Sequence, residues 1–483
     1  MKKIGIALGV LLGLLVVAAG ALPWYLGVQA EERFRAATAE RNSAGSPFAV
    51  TLVQYRRGWL DSTALHRISL KADPSVHFDI QHDIEQLPDP SGNLVRIRST
   101  PRWPEQVQAA ADYYFAKQPA LTVETVVDYE RNVAVRISSP AFSRPLLTQP
   151  NVKLTWGGAQ GAMHFTGDSK MKLELSMPQL AFAGDGATAD LTRASLHGEW
   201  TTAGSQLDWQ GETRIAVEKV ALESPNGGGV LKGIETTMLQ RNQGQTILVG
   251  YAVKVKEGVA TGVGIEQQGF TDAVLELELD RLDKKALSKY FDDLTNAEQT
   301  GVSQQARTQL AAQLWLGLMS DLLKASPEMR VKQLGMKTAN GTLNGSAVLG
   351  FDGKDFTQIG SPAELMARTK FTAAAEASGI LLRAWLAKDA HAHAVKVLSE
   401  RGTYPDEAQV KQLAEELIQE QLMALQTAGV LKPEGDKFVL RAELASGKLT
   451  VNGNAADQLL GPMLVPPPAT MPAPAPASEE RKA

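Results

Sequence analysis

Three groups of side chains have types and spacings that could do chemistry. His66, His77 and His82 lie close together in the first part of the chain, and His391 and His393 lie two apart in the second. Imidazoles work jointly on a metal or a proton only where they share a face. The segments around the first three alternate apolar and polar residues, so they read as strands, where equal parity puts side chains on one face. His77 and His82 have opposite parity, and the three are expected to be partly exposed strand histidines. His391 and His393 fall in a helical pattern, in which positions two apart point to different sides. The third group is a carboxylate row, Glu276, Glu278 and Asp280, interleaved with Leu275, Leu277 and Leu279. Such a row could bind a cation or raise one carboxyl pKa for acid–base work. Its expected state is the solvated face of a half-buried sheet, with the leucines inward.

Nothing else in the chain offers a reaction. The 483 residues include no cysteine. That removes thiolate nucleophiles, thiolate metal sites and disulfides, and it suits an oxidising compartment. No nucleophile elbow, HExxH, phosphate loop or dinucleotide fingerprint stands in a fitting context. The Gly-rich stretch PNGGGVLKG at 225–233 lacks the Lys-Ser/Thr of a phosphate loop and reads as a hairpin turn. A net charge of −4, with no basic stripe among aromatics, argues against nucleic-acid binding. No catalytic residue, metal ligand or cofactor is assigned, and the chain is not expected to be an enzyme. A hydrolase with an unrecognised site is the weakest reading.

The elements that would position any site begin with a membrane segment. From Ile4 to Val28 there is no charged side chain, and about 20 apolar residues suffice to cross a bilayer. Lys2 and Lys3 at 1–3 favour a cytoplasmic N-terminus, which sends everything after Val28 outward. Trp24 and Tyr25 sit where an interfacial aromatic belt would lie. Ala19-Gly20-Ala21 fits a signal-peptide cleavage site, but the uncharged run continues past it, so a retained anchor over 4–28 is expected. Gly5, Gly9 and Gly13 fall on one helix face, where small residues let membrane helices approach closely.

Beyond the anchor the fold class reads as α+β. Residues 29–283 form the β-rich N-terminal part of an exported body. After a short helical extension over Ala30 to Arg41, a period of two prevails, with strands every dozen or so residues and Gly, Asn, Asp and Ser between them. This predicts a long antiparallel meander. Residues 284–461 form an α+β C-terminal part. Helices are expected at 284–294, 303–326, 380–401 and 405–429, with strands at 329–352 about an Asn340-Gly341 turn and a last hairpin around Ser446-Gly447. A short terminal helix is expected at 455–463. Residues 462–483 are Pro/Ala-rich and cannot pack a core; they read as an extended solvated tail.

The order of these landmarks resembles the bacterial YdgA family, whose shared region is domain of unknown function 945. The resemblance rests on ALPWYLG at the end of the anchor and on QYRRGWLDS at 54–62. The latter is similar to a family element in which Tyr55, Gly58 and Ser62 occupy the marked positions. It rests further on the stretch 248–283 followed by two helices, and on ASGKLTVNG at 445–453 before a Pro-rich end. One departure is that Gln81-His82-Asp83-Ile84 stands where many members carry His-Gly-Pro. The resemblance implies an inner-membrane anchor and a periplasmic body, and no known reaction.

Two functional readings follow. The first is an interaction or structural protein of the cell envelope. A long sheet must have its edges paired or covered, and a homodimer does this by self-pairing; another envelope protein is the alternative partner. The second is a lipid-binding or lipid-transfer protein that holds phospholipid on an apolar sheet face beside the inner membrane. The discriminating feature is whether one sheet face stays apolar and uncovered, since the helices at 303–326, 380–401 and 405–429 are candidates to cover it.

Overall fold

The computed structural model describes residues 28, 29, 31, 32, 35, 36 and 38, and residues 48–457 apart from 72, 87–91, 168, 203–207, 263–264, 300–303, 358–360 and 401–405. The anchor expected at 4–28 lies outside these residues except for Val28, as does the tail at 462–483. Among the described residues, no helix is long and apolar enough to cross a membrane.

Alternating polarity produces strands in the expected places. The chain opens with β1 (Phe48–Arg57), β2 (Asp61–Leu70), β3 (His77–Glu85) and β4 (Asn93–Arg102), then α1 (Glu105–Phe115). Next come β5 (Thr122–Asp128), β6 (Val133–Ser139), β7 (Phe142–Pro145), β8 (Lys153–Trp156) and β9 (Ala159–Phe165). Six long strands follow: β10 (Lys170–Gly184), β11 (Ala187–Thr201), β12 (Gln210–Ser224), β13 (Gly227–Gln243), β14 (Thr246–Gly262) and β15 (Ile265–Asp283). Then α2 (Lys284–Gln299) and α3 (Gln304–Lys324) precede β16 (Glu328–Thr338) and β17 (Gly341–Phe351). After α4 (Pro362–Arg368) and β18 (Thr369–Ser378) come α5 (Gly379–Glu400) and α6 (Glu407–Thr427). The chain closes with β19 (Lys432–Glu434), β20 (Lys437–Ala445), β21 (Lys448–Val451) and β22 (Asn454–Ala455).

All these strands belong to one antiparallel sheet. Each pairs with its sequence neighbour except at two places: β6 pairs with β9 around the β7–β8 excursion, and β18 pairs with β20 around α5 and α6. Among the described residues, β1 pairs only with β2, so one end of the sheet is open. The meander expected over 121–282 therefore extends through both halves of the body.

The six long strands share a transverse crease. Their registers skip one row, at Pro178, Arg193, Glu218, Gly233, Lys256 and Asp272. Arg193, Gly233 and Asp272 have φ of 48°, 59° and 51° in this row. At the same row the apolar positions step by three instead of two: Met177 to Leu180, Leu191 to Ala194, Val217 to Val220, Leu231 to Ile234, Val255 to Gly258, and Phe270 to Ala273. A residue added in the left-handed region is bulge geometry and turns the following side chains over by one position. Because the apolar step of three recurs at the same row of every strand, the pairing is preserved and the apolar set stays on one face. Without the crease, period-two alternation would send half of that set to the other face.

The helices pair with each other. Val410, Ala414, Ile418 and Leu422 form an i, i+4 stripe on α6, buried against Ala390 and Ala394 of α5. The two alanines let the helices approach closely. Asp406 caps α6 by accepting from the Ala408 N–H. Likewise Leu318 and Leu322 of α3 pack on Ala286 of α2, next to Leu282 of β15. Leu422 is 2% exposed, so Leu422→Ala is expected to destabilise the α5–α6 unit by about 2–5 kcal/mol, read as an earlier urea midpoint by circular dichroism at 222 nm.

Candidate functional site

The sheet has two chemically different faces. Cross-strand partners point to the same side, so the register identifies each face row by row. One row runs Leu175, Leu196, Ile215, Thr236, Val253, Leu275 and Leu334 across β10 to β16. The next row on the same face runs Leu173, Gly198, Thr213, Met238, Tyr251, Leu277 and Val331, and continues through Ala347, Ala373 and Ala442. These side chains are not in a core. Leu175 is 38% exposed, Met238 49%, Tyr251 40% and Leu279 42%. Soluble monomers rarely leave a contiguous apolar patch of this extent open, and such patches mark binding surfaces.

The opposite face is ionic. Lys172 pairs with Glu199 at 2.9 Å, Lys254 with Glu276 at 3.1 Å and Lys332 with Glu278 at 2.6 Å. The hydrogen bond from Lys172 holds the Glu199 carboxyl below its usual range. Lys172 and Glu199 are exposed, whereas Glu276 and Glu278 are half-buried beneath their lysine partners, so this face is polar surface with modest cross-strand support.

The helices leave the apolar face open. α2 continues directly from the end of β15, and α5 from the end of β18, so each pair starts beyond a strand end. Strand rows give the sides: the Leu277 row lies nearer α2 than the Ala273 row, whereas Ser378 and Leu343 lie at the other end. The two helix pairs therefore project from opposite long edges of the sheet.

A polar cluster occupies the same face at the β1 end. The Tyr55, Ala64, His82 and Ser99 row continues the Leu175 row through β1 to β4. Ser62 is buried and accepts from Gln86 Nε2. Burial pushes the Tyr55 phenol up, and its hydrogen bond with Ser62 works in the opposite sense. The Thr38 hydroxyl lies 2.9 Å from His66 Nε2, His66 Nδ1 lies 3.0 Å from His82 Nε2, and His82 Nδ1 lies 2.7 Å from Ser99 Oγ. A serine beside an imidazole is half of a nucleophile arrangement. Ser99, however, sits mid-strand, paired to His82 and Val123 on its two sides. It has neither the exposed elbow nor the free N–H pair that acyl transfer requires. The arrangement instead ties the segment carrying Thr38 onto the sheet.

The sequence expectations fare unevenly. Tyr55, Gly58 and Ser62 do come together. Gly58 turns the chain with its N–H on the Asp61 carbonyl at 2.8 Å, and a Cβ there would collide with that carbonyl. The reading of His66 as partly exposed is corrected: it is 8% exposed and joined to His82. Parity along one strand could not find this pair, because β2–β3 register decides it; Ala64 opposite His82 sets the two rings diagonally. His391 and His393 are both exposed on α5. Glu276, Glu278 and Asp280 share a face as expected, but Arg330 reaches Glu278 at 3.8 Å and Asp280 at 3.5 Å, and Asp280 is buried. Leu279, expected inward, is exposed on the apolar face. Among the described residues no group of three or more His, Cys, Asp or Glu is placed to hold a metal ion. Lys2, Lys3, Gly5, Gly9, Gly13, Trp24 and Tyr25 lie outside the described residues.

A family model described as a bacterial protein of unknown function (DUF945) matches residues 1–457. No curated protein and no solved structure matches the chain.

The raised Tyr55 pKa has a measurable sign. A phenol whose folded pKa exceeds the unfolded value of about 10 contributes stability below pH ~10 and loses it as the pH climbs through the folded value. Ultraviolet titration should show one tyrosine ionising late, and Tyr55→Phe should abolish that phase.

Proposed function

This chain belongs to the DUF945 family of bacterial proteins, and from that footing we propose that it is a membrane-anchored lipid-binding protein of the cell envelope. The uncharged segment 4–28 anchors it in the inner membrane, with the body in the periplasm. The apolar sheet face holds the acyl chains of phospholipid. The proposal is for a binding protein without a reaction of its own.

One observation carries the reading: among the described residues the apolar face is continuous over neighbouring strands, exposed in the middle of the sheet, and touched by helices only toward its long edges. From β9 to β20 the sheet makes ten strand-to-strand steps, about 48 Å at ~4.8 Å each. An acyl chain in one leaflet reaches only about 15 Å, half of a ~30 Å hydrocarbon core, so several chains fit side by side. Burying them removes apolar area from water at roughly 25 cal/mol per Å². The other face, with Lys172, Lys254 and Lys332 already paired to carboxylates, stays in water.

Photocrosslinking in living cells tests this. A benzophenone amino acid is placed at Met238 or Tyr251 on the apolar face, and at Lys254 on the ionic face as control. Labelled phospholipid is expected to attach at the first two positions and not at the third. A crosslink at Met238 to a second copy of the chain, with no lipid, would assign the face to a homodimer and return the protein to the interaction reading.

A further inference from the structure

We infer that the α2–α3 hairpin is a membrane-docking surface, seated in the interface of the bilayer that carries the chain's own N-terminal segment. The inference rests on the lipid-binding reading of the sheet and names where that sheet meets its lipid source.

The first observation is composition. From Thr308 to Ser320, α3 carries no charged side chain. Among the described residues its partner α2 covers the side that bears Leu318, Met319 and Leu322. Trp315 is left 51% exposed, Leu316 61% and Phe291 of α2 51%. Tyr290 joins them, with its ring 6.3 Å from Trp315 and 5.7 Å from Phe291. Trp and Tyr beside aliphatic side chains match the headgroup boundary of a bilayer, where an aromatic body is apolar and its polar atom stays wet.

The second is continuity. The apolar face runs along β15 through Leu277 and Leu279 to Leu282, which packs in the hairpin core with Leu318. A lipid leaving the bilayer at the hairpin would find unbroken apolar surface.

The third is position. The Arg57–Ser62 row of β1–β2 is, strand by strand, the Leu277 row of β15. His66 lies farther from that edge than Ser62 does. Glu31 sits against Arg57 at 3.7 Å and Thr38 against His66. Of the described residues ahead of β1, Glu31 thus sits nearer the long edge of the sheet that bears the hairpin and Thr38 farther from it, whereas α5 and α6 leave from the other edge.

The absence of cysteine makes the test direct. Full-length protein with Leu316→Cys or Lys411→Cys, the latter on α6 as control, is spin-labelled and reconstituted into phosphatidylethanolamine–phosphatidylglycerol vesicles. At Leu316 the label is expected to collide with oxygen several-fold more than with a water-soluble nickel chelate, and at Lys411 the reverse. Equal nickel access at both positions would overturn the inference. So would spin–spin broadening at Leu316 that persists in detergent, because a second copy would then cover the hairpin. Crosslinking at Met238 is read on the same preparations. Lipid there with an aqueous Leu316 defeats the hairpin alone; a bilayer-embedded Leu316 without lipid at Met238 defeats the sheet reading alone.

Discussion

Side chains on a strand alternate between two faces, and everything in this molecule follows from how that constraint is met. A sheet with one apolar face ordinarily buries it under a second layer. Here, among the described residues, no second layer covers the middle of the sheet. Helices exist in sufficient number to cover several strands, yet they spend their apolar stripes on each other, α5 on α6 and α2 on α3. The tightly buried residues are accordingly concentrated in helix pairs and at strand ends, while Leu175, Ile215, Met238 and Leu334 in the middle of the sheet remain open.

The crease shows how strongly the apolar face is maintained. Six neighbouring strands share one unpaired row at which their apolar positions step by three, and in three of them the residue of that row is in the left-handed region. A single bulge would bend one strand and break its pairing. A row of them keeps the ladders intact and keeps Leu180, Val220 and Leu231 beside Met177, Val217 and Ile234. Gly258 belongs to this arrangement, because the Phe270 ring lies where its Cβ would be. Side-chain identity and backbone irregularity thus serve the same surface.

The polar contacts at the β1 end and along β15 tie strands to one another. Ser62, Gln86 and His66 are buried and His82 is half-buried beside them, and buried polar groups generally need partners. Gln86 Nε2 donates to Ser62, and His66 lies between His82 and Thr38, which ties Thr38 to β2 and β3; Gln86 Oε1 has no partner among the described residues. The carboxylates of β15 are answered by Lys254, Arg330 and Lys332 on neighbouring strands. These groups fix strands and segments relative to one another, and the sheet face they leave free is apolar.

The sequence by itself determined the local elements. Alternation in ATADLTRASLHGEW and its neighbours names the strands, and the Asn340-Gly341 and Ser446-Gly447 turns join strands where expected. The 303–326, 380–401 and 405–429 helices fall within a few residues of their places, because helical periodicity is a local property. The tertiary structure decided what lies on what. Whether a helix covers a sheet face depends on distant partners, so the leucines of LELELD read as inward from alternation alone, while Leu279 is exposed in the fold. The His66–His82 pair depends on register between two strands, which no single strand encodes. The apolar face itself was visible only in fragments, because the three-residue step from Met177 to Leu180 looks like a broken pattern in one strand and becomes a continuous surface only when six strands repeat it side by side.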